Sequence, residues 1–561
     1  MSDNSAKIES DRQRLIEAQQ KGGLTKLKAY LQLSGPGWLQ SALTLGGGSL
    51  ASSLYLGVVA GVTLLWLQPL AMILGIIMLS AIGYVCLSTG DRPFRAIIRH
   101  INPVLGWAWL LATMAANMVW ALPQYSLFYG VTEQNLLPGL FGEGGPLAGD
   151  GGKWAVSAIV LVISTIVVWG YGSGGWGVKI YEGLLKIVVA LIVACFFAVV
   201  LKMSLSSDGI SWGEVLAGFV PNLRQLSEPA AGLRTMIEAI ENAEAQSYWT
   251  SLVVNQQREV MISAAATAVG INMTFLLPYS MMAKDWTREF RGLASFDLST
   301  GMFIPYVLAT TCVTIAAANQ FHARLPEAVQ VVDGNVVVPE PANAKFQAAL
   351  DARRGSVAGP VSLAEQQLAA AQLKKDAGAL ANSLERLFDD RMTAHYIFGF
   401  GVAAMALSSI SLLMLISGFV VCEILDVPPT GWTHRIGCLA AASGAFWPIL
   451  WSGKARFWLA IVTSNFGMVL LPIAYLTFFL MMNSKSLLKD DLPTGGKRIA
   501  MNVAMAMATG AAMLASGWVV WNKTQWYGVG GVAALVVLTV VVHFKRDPNG
   551  YMFEIVDADR P

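Results

Sequence analysis

Charged residues are scarce in this sequence of 561 residues, and their scarcity excludes most soluble folds. Aspartate, glutamate, lysine and arginine make up 13% of the chain, whereas soluble domains carry about 25%. The formal net charge is only +2, so the chain lacks the basic surface by which nucleic-acid-binding proteins hold phosphates. The composition therefore predicts no nucleic-acid partner and a core that is built in lipid.

Cysteine and histidine are also rare, with five of each. The cysteines lie in or beside apolar stretches without paired spacing, which excludes a disulfide framework and a zinc site. The histidines lie at or near the ends of such stretches, so no metal triad or nucleophile–base pair is predicted at membrane depth. The glycine run at 170–177 lacks the residues that end a phosphate-binding loop. Neither an enzyme nor a cofactor is expected, and a metal ion would be a substrate.

Long apolar stretches are what the sequence does contain. A helix needs about 20 mostly apolar residues to cross a bilayer, and 55% of this chain is hydrophobic. Twelve stretches are candidate spans, at about 33–62, 66–88, 103–129, 154–170, 180–202, 260–283, 296–319, 396–425, 435–452, 457–482, 499–521 and 527–544. The predicted fold class is therefore an all-α integral membrane protein whose first partner is the lipid bilayer.

The loop charges predict the orientation of these spans. Lysines and arginines cluster before the first span, after the second, sixth and tenth, and after the last. Because basic loops stay on the cytoplasmic side, both termini are expected in the cytoplasm and the protein in the cytoplasmic membrane. The first 30 residues are polar and charged, so no signal peptide is expected and the first span must direct insertion.

Five regions follow from this pattern: a cytoplasmic N-terminal segment (1–30), spans one to seven (31–319), an extracytoplasmic insertion (320–392), spans eight to twelve (393–545) and a cytoplasmic tail (546–561). In the insertion, residues 330–338 alternate around Asp333 and Gly334, which predicts a short hairpin. Ser362 and Glu365 form a capping box, and the helix it opens is expected to run to about Arg391. A short acidic helix is also predicted at 235–245, ahead of span six.

The first span carries three consecutive glycines near its middle. Each glycine costs about 1 kcal/mol of helix propensity relative to alanine, so residues 46–48 favour an unwound backbone at membrane depth. Such a backbone is tolerated only where it is buried in protein or lines a cavity. The alternative is a patch of small residues that packs closely against a neighbouring helix.

The sixth span has a second candidate break, at residues 270–274, where the buried amide of Asn272 needs a partner. Breaks in corresponding helices of two inverted halves point to a transporter site, and spans one and six correspond in a repeat of five plus five helices. Half-helix C-termini would present carbonyl oxygens to a cation there. The predicted site comprises Leu43, Thr44, Gly46, Gly47, Gly48, Ser49, Val269, Asn272 and Thr274.

Four motifs in the expected order resemble the Nramp (natural resistance-associated macrophage protein) family of divalent-metal transporters. Residues 41–54, preceded by 35–37 and followed by 57–66, are similar to the family's first helix. Residues 177–182 resemble the start of its fifth helix, and residues 404–409 with 418–420 resemble its eighth. The resemblance covers most of 30–485 outside the insertion. It implies a LeuT-type fold, with a 5+5 inverted repeat plus two helices, and alternating-access transport of a divalent cation.

The chain departs from the family at both metal-binding motifs. Where the family has Asp-Pro-Gly-Asn, this chain has residues 46–49, so the aspartate becomes Gly46. Our preferred alignment places the family's Met-Pro-His-Asn on residues 272–275, so the methionine becomes Asn272. A rival alignment keeps the proline and uses Pro278, Tyr279 and Ser280. The losses put selectivity for transition metals in doubt, and the third span has Gln124 in place of an acidic residue, so transport without proton coupling is expected.

Two further charged sites have both a structural and a functional interpretation. Lys179 and Glu182 lie within one helical turn at the start of span five, where such a pair either anchors the helix or forms a cytoplasmic gate. Glu423 ends span eight close to Asp426 and is more typical of an interfacial charge than of a ligand.

Three hypotheses about function remain open from the sequence. The first is a secondary transporter of a cation, for which the resemblance favours a divalent metal. The second is a transporter of a small organic solute on the same scaffold, with half-helix N-termini holding a carboxylate. The third is a transport-inactive sensor or scaffold that works through the 320–392 insertion, whose protein partner the sequence does not identify.

Overall fold

The structure is a computed structural model, and it describes residues 2–171, 176–205, 209–326, 328–340, 342–374, 391–451 and 456–545. These residues are almost entirely helical, with one two-stranded antiparallel sheet among them. In the first half of the chain the α-helices are α1 (Ser2–Lys21), α2 (Gly23–Leu33), α3 (Pro36–Thr44), α4 (Gly47–Ala60), α5 (Leu67–Thr89), α6 (Pro93–Ala96), α7 (Pro103–Val131), α8 (Pro138–Phe141), α9 (Asp150–Tyr171), α10 (Trp176–Leu205), α11 (Trp212–Ala217), α12 (Ala231–Glu238), α13 (Ala243–Ala268) and α14 (Ile271–Met282).

In the second half they are α15 (Arg291–Asp297), α16 (Ile304–Phe321), α17 (Asn343–Ser356), α18 (Leu363–Ala371), α19 (Arg391–Ile424), α20 (Gly431–Cys438), α21 (Trp447–Leu450), α22 (Arg456–Met482), α23 (Lys485–Leu488) and α24 (Gly495–Lys545). Short π-helical turns occur at Ile97–Ile101, Thr132–Leu136 and Leu298–Phe303. Turns of 3₁₀-helix occur at Leu223–Leu226, Arg288–Phe290, Leu439–Phe446 and Lys489–Asp491.

The first span is interrupted, as predicted. Helices α3 and α4 meet at an angle of 52°, and the chain between them is extended at Gly46, with φ −98° and ψ −178°. The break is narrower than the three glycines suggested, because Gly47 and Gly48 already lie in the first turn of α4.

The sixth span is interrupted as well, between α13 and α14. Val269 and Gly270 are both extended, so the break lies at the start of the predicted interval 270–274. The first half-helix begins well before the predicted start of the span at about 260, since α13 begins at Ala243, where the Asn242 side chain accepts hydrogen bonds from two backbone N–H groups. The helix predicted at 235–245 is therefore wrong in its bounds, because α12 ends at Glu238 and a new helix follows.

The other spans fit the predicted positions with one exception. Within the described residues, eight helices are long and apolar enough to cross a membrane, and the bent pair α3–α4 would make nine. The exception is the stretch predicted at 435–452, which changes helix type twice between α20 and α21. The last two predicted spans, 499–521 and 527–544, lie on either side of Gln525, where the non-helical backbone divides α24 into two helices. The count of twelve and the positions of the termini stay predictions.

The described residues of 320–392, a range that we call the outer segment after the side of the membrane predicted for it, form two strands and two helices beyond the end of α16. Strands β1 (Gln330–Val332) and β2 (Asn335–Val337) make the predicted hairpin, and the capping box at Ser362 and Glu365 is present. The helix it opens ends at Ala371 and not near Arg391, since Gln372 and Leu373 form a turn. Residues 375–390, with the rest of that prediction, lie outside the described residues, as does the tail 546–561.

The outer segment packs on the outer half of the broken sixth span. Its apolar residues share a hydrophobic core with α12 and with the first turns of α13. At the centre of this core the Arg353 guanidinium pairs with the Glu365 carboxylate, and both side chains are almost completely buried. Glu365 also accepts a hydrogen bond of 3.1 Å from Trp249 Nε1 on α13. The outer segment is thus attached directly to a half-helix that leads into the membrane.

A buried carboxylate binds the N-terminal end of the first span, at the start of α3. Asp297, at the end of α15, accepts hydrogen bonds from the Ser34 hydroxyl and from the backbone N–H groups of Gly35 and Gly37, at 3.1 and 2.7 Å for the two amides. These amides are unpaired donors at the N-terminus of α3, where a negative charge is stabilising. Asp297 therefore clamps the first half-helix to the seventh span.

Replacing Asp297 by alanine is expected to lower the stability of the protein by about 2 kcal/mol or more, because it leaves buried amide donors without an acceptor. Thermal unfolding in detergent, followed by tryptophan fluorescence, would measure the change. Asp297→Asn keeps one acceptor oxygen and should lose less, and Asp490→Ala, at an exposed position, should have little effect. Equal midpoints for Asp297→Ala and Asp490→Ala would contradict the clamp.

Candidate functional site

The two helix breaks meet in the interior of the bundle. Thr44, the last residue of α3, donates a hydrogen bond of 3.3 Å from its hydroxyl to the carbonyl oxygen of Ala268, the last residue of α13. The thioether sulfur of Met273 lies 3.3 Å from the same hydroxyl and 3.4 Å from the backbone nitrogen of Gly270. The C-termini of the two half-helices therefore come together at one point.

A small cavity of about 40 Å³ opens beside this junction. By volume it can hold a few water molecules. Six helices contribute to its wall, namely α3, α4, α7, α13, α19 and α22. The lining residues are Leu43, Thr44, Gly46, Gly48, Ser49, Trp120, Pro123, Gln124, Thr267, Ser409, Leu413, Thr463 and Ser464.

The wall of the cavity combines apolar surface with polar groups that are uncharged. The polar side chains are hydroxyls, one amide and one indole, and no described residue of the lining carries a carboxylate, imidazole or thiolate. Within the described ranges, no group of three histidine, cysteine, aspartate or glutamate residues could hold a metal ion. The ends of α3 and α13 add partial negative charge from their free carbonyl groups. The cavity therefore offers neutral oxygen atoms to whatever it binds.

Close contacts at the first break leave no room for a side chain at two of the glycines. A Cβ atom at Gly46 would lie 2.1 Å from the Ser409 hydroxyl oxygen, and one at Gly47 would lie 2.4 Å from Leu127 and 2.7 Å from Gln124. Both interpretations of the glycine run therefore hold together, since the backbone unwinds at Gly46 and also packs tightly against α7 and α19.

Gln124 secures the second half-helix of the first span. Its side-chain oxygen accepts a hydrogen bond of 3.1 Å from the backbone N–H of Gly47, at the N-terminus of α4. The sequence marked this position only as one that lacks an acidic residue. In the structure, the neutral amide acts as a cap that crosses from α7 to the broken helix.

The predicted site residues fall into two groups. Those of the first span line the cavity, apart from Gly47, whose N–H is bonded to Gln124. Those of the sixth span do not line it. Val269 packs on the face of α5 where Gly75 leaves room, and the Thr274 hydroxyl donates to the carbonyl oxygen of Ile271 and accepts from Trp109.

Asn272 is buried completely, and neither polar atom of its amide has a hydrogen-bond partner among the described residues. Its side-chain oxygen points back toward Gly270 at the break. Leaving an amide unpaired in this way costs about 1–3 kcal/mol. Because most buried amides are satisfied, this one has unused bonding capacity beside the junction of the half-helices.

The residues of the rival alignment lie in the middle of α14. Pro278 is internal to that helix, the Tyr279 ring stacks on Phe275 with centroids 4.4 Å apart, and the Ser280 hydroxyl donates to the Leu277 carbonyl. The break itself directly precedes Asn272, so it lies about two turns away from this proline. The choice between the two alignments remains a prediction.

The other charged candidates lie away from the cavity. Glu423 is buried 3.6 Å from the Arg92 guanidinium, and Asp426 pairs with Arg92 and Arg95, so this cluster joins the ends of two spans. Lys179 and Glu182 belong to α10, but their side chains lie outside the described residues.

Most of the cavity wall outside the first span could not be predicted from the sequence. Trp120, Thr267, Thr463 and Ser464 are ordinary residues in apolar helices, and only the packing of six helices brings them together. Ser409 belonged to a motif that was matched to the family, yet no role followed from it. A weak signal was available for Thr463 and Ser464, which are adjacent hydroxyl residues within the apolar span predicted at 457–482.

Comparison of folds defines the class of the protein. Crystal structures of a manganese transporter from Eremococcus coleocola are similar to this chain, at 13% sequence identity over 93% of this chain and 96% of that one. The TM-score is 0.62 for a complex with an aromatic bis-isothiourea substituted compound and 0.61 for point mutants. This likeness shows the fold. The chain is an integral membrane protein of the LeuT type, with interrupted first and sixth spans.

The sequence then gives the family. The profile described as natural resistance-associated macrophage protein-like matches residues 37–337 and 354–521. The chain therefore belongs to the Nramp family, and the match extends further into the outer segment than the motifs indicated. No curated protein sequence matches the chain.

Proposed function

We propose that the protein is a secondary transporter that moves a metal cation through the cavity by alternating access. The observation that carries this proposal is the meeting of two interrupted helices at one polar cavity inside the bundle. Unwound backbone is stable at membrane depth only in such surroundings. Membership of the Nramp family and the fold shared with a manganese transporter support the same conclusion.

The chemistry of the cavity favours a hard or borderline divalent cation that keeps part of its water shell. Hydroxyl and carbonyl oxygens suit Mg²⁺ and Mn²⁺, and Mg²⁺ in particular usually retains several waters in proteins. Without a carboxylate the site holds the ion weakly, which suits a transporter that must release it. The Met273 sulfur at the break is a soft ligand atom, but it does not line the cavity, so Mn²⁺ would contact it only after a rearrangement of this side chain.

The uncharged wall of the cavity also indicates whether transport is coupled to proton movement. Among the described residues none that lines the cavity is titratable near neutral pH, and a proton relay through a membrane needs such groups. We therefore propose facilitated transport without proton coupling. The small volume of the cavity weighs against an organic solute, which would need several times this space.

Uptake into liposomes would test this proposal. Purified protein is reconstituted, and uptake of Mn²⁺ and Mg²⁺ is compared with that of empty liposomes and of an organic acid. Saturable uptake of either metal is the expected result. Uptake of the organic acid alone would favour a transporter of small organic solutes. If no solute is taken up, a transport-inactive sensor or scaffold would be favoured.

Asn272→Ala is expected to raise the KM for the cation about tenfold without lowering stability. The amide has no partner to lose, so its removal relieves an unpaired polar group. Asn272 does not line the cavity, so we propose that its amide, which lies beside the break, turns toward the cation when the cation binds, and the substitution then removes a ligand. The control is Asn117→Ala, because Asn117 donates a hydrogen bond to Ser417 and should affect unfolding more than KM. An unchanged KM for Asn272→Ala would count against the preferred alignment of the sixth span.

A further inference from the structure

The outer segment reaches back to the membrane bundle through Lys374, just after α18. The ammonium nitrogen lies 3.8 Å from the centroid of the Trp458 ring. Trp458 belongs to α22, and its ring packs edge to face against Tyr55 of α4, with centroids 5.0 Å apart. A lysine of the inserted segment therefore rests on an aromatic pair that is supplied by two cavity-lining helices.

One face of α4 leads from the cavity to this aromatic pair. Gly48, Ser52 and Tyr55 follow at intervals of four and three residues, so they lie on the same side of the helix. Gly48 lines the cavity and faces Thr267. One turn outward, the Ser52 hydroxyl lies 2.8 Å from that of Ser263. Small polar groups thus continue outward from the cavity and end beneath the ring of Tyr55.

The facing wall is α13, on which polar residues recur every fourth position. Thr267 and Ser263 are followed by Glu259, which pairs with Lys523 of α24. Although Lys374 as a whole residue is exposed, its ammonium group lies against the Trp458 ring, and the loss of water there lowers the pKa of Lys374 to about 8. Glu259 raises this pKa, and the nearby positive charges lower it. Lys374 is therefore still charged at pH 7. A carboxylate at the outer end of a polar row and a cation above the closing rings are the features expected where cations reach a site.

We propose that Lys374 is the latch of an outer gate, and that its contact with Trp458 holds the Tyr55–Trp458 pair closed over the cavity. The proposal rests on the transport function proposed above, since a gate needs a solute that passes it. Release of Lys374 removes both the cation–π contact and a positive charge that repels incoming cations. The outer segment is then a regulator of access, and α13, on which it is built, connects it to the break in the sixth span.

Chemical accessibility tests the latch without relying on transport. In the full-length protein in liposomes, Ser52→Cys places a thiol between the cavity and the aromatic pair. The rate of its modification by an uncharged, hydrophilic and membrane-impermeant methanethiosulfonate reports opening of the gate, after subtraction of the rate for the chain without this cysteine. Adding Lys374→Met is expected to raise the rate about fivefold, the effect of losing one cation–π contact of moderate strength.

The controls separate the latch from a general loosening of the outer segment. Lys345→Met removes a nearby positive charge of the same segment and should leave the rate unchanged. Trp458→Leu should raise the rate, and Lys374→Met should add nothing further on that background. Equal rates with and without Lys374, or an undiminished effect in Trp458→Leu, would overturn the proposal. Labelling as expected without metal uptake would refute the transport function, whereas uptake with unchanged labelling would refute the latch.

Discussion

Gly46→Ala is expected to reduce metal uptake about tenfold or more. The added Cβ atom would lie 2.1 Å from the Ser409 hydroxyl oxygen, closer than two unbonded atoms can approach, and in a tight contact of 3.1 Å with the Leu43 carbonyl oxygen. Overpacking of this kind costs about 1–3 kcal/mol, and the methyl group would also take space from a cavity of about 40 Å³. Initial rates of Mn²⁺ and Mg²⁺ uptake into liposomes would measure the loss.

A second substitution shows whether the contact with Ser409 is the cause. Ser409→Ala removes the nearest atom and leaves a Cβ atom 3.3 Å away, so the double variant should recover part of the lost uptake. Gly510→Ala in α24 is the matched control, because a Cβ atom there meets nothing within 4 Å. Normal uptake by Gly46→Ala would show that the break is not part of the transport path.

Arg353→Ala is expected to unfold the outer segment while the membrane bundle stays folded. The Arg353 side chain is 0% exposed and its partner Glu365 is 1% exposed. Arg353 also donates hydrogen bonds of 2.9 and 3.0 Å to the carbonyl oxygens of Val357 and Gly359. Removing one member of a buried ion pair costs about 3–5 kcal/mol, because the other charge is left without compensation. The free energy of unfolding of so small a segment is itself only a few kcal/mol.

Hydrogen exchange of the peptides that cover α17 and α18 would measure the change. Arg354→Ala is the control, since that neighbouring side chain is 53% exposed and pairs with the exposed Asp351 in the preceding turn. An exposed pair of this kind contributes less than about 1 kcal/mol, so its exchange should match the wild type. Similar exchange in the two variants would mean that the buried pair does not hold the outer segment together.

The fold was predictable from the sequence wherever one local signal decided the outcome. Runs of about 20 apolar residues gave the spans, and the glycines at 46–48 gave the first break. The hairpin at Asp333 and the capping box at Ser362 were equally local. The predictions failed where tertiary contacts decide. Nothing in the residues before 260 indicated that α13 would continue outward to Ala243, because the outer segment covers that part of the helix and replaces lipid or water around it.

Only the half of the candidate site that belongs to the first span was predictable from the sequence. Glycines that break a helix are visible in a sequence, whereas a cavity is a property of several helices at once. Thr267, Ser409 and Ser464 come from three different spans, and no periodicity within one span connects them. Val269 and Thr274 show the opposite case, because their position in the sequence predicted side chains that line the site. They lie beside the break, yet their side chains point toward other helices.

The absence of a carboxylate in the wall has an electrical consequence. An anionic site would offset part of the charge of its cargo, whereas a neutral one moves both charges of a divalent ion with the ion itself. Each elementary charge gains about 2.3 kcal/mol per 100 mV of membrane voltage, so a divalent ion gains roughly 4.6 kcal/mol. This energy corresponds to an accumulation on the order of a thousandfold. A voltage that is negative inside would therefore be sufficient to drive uptake, with no second ion moving alongside.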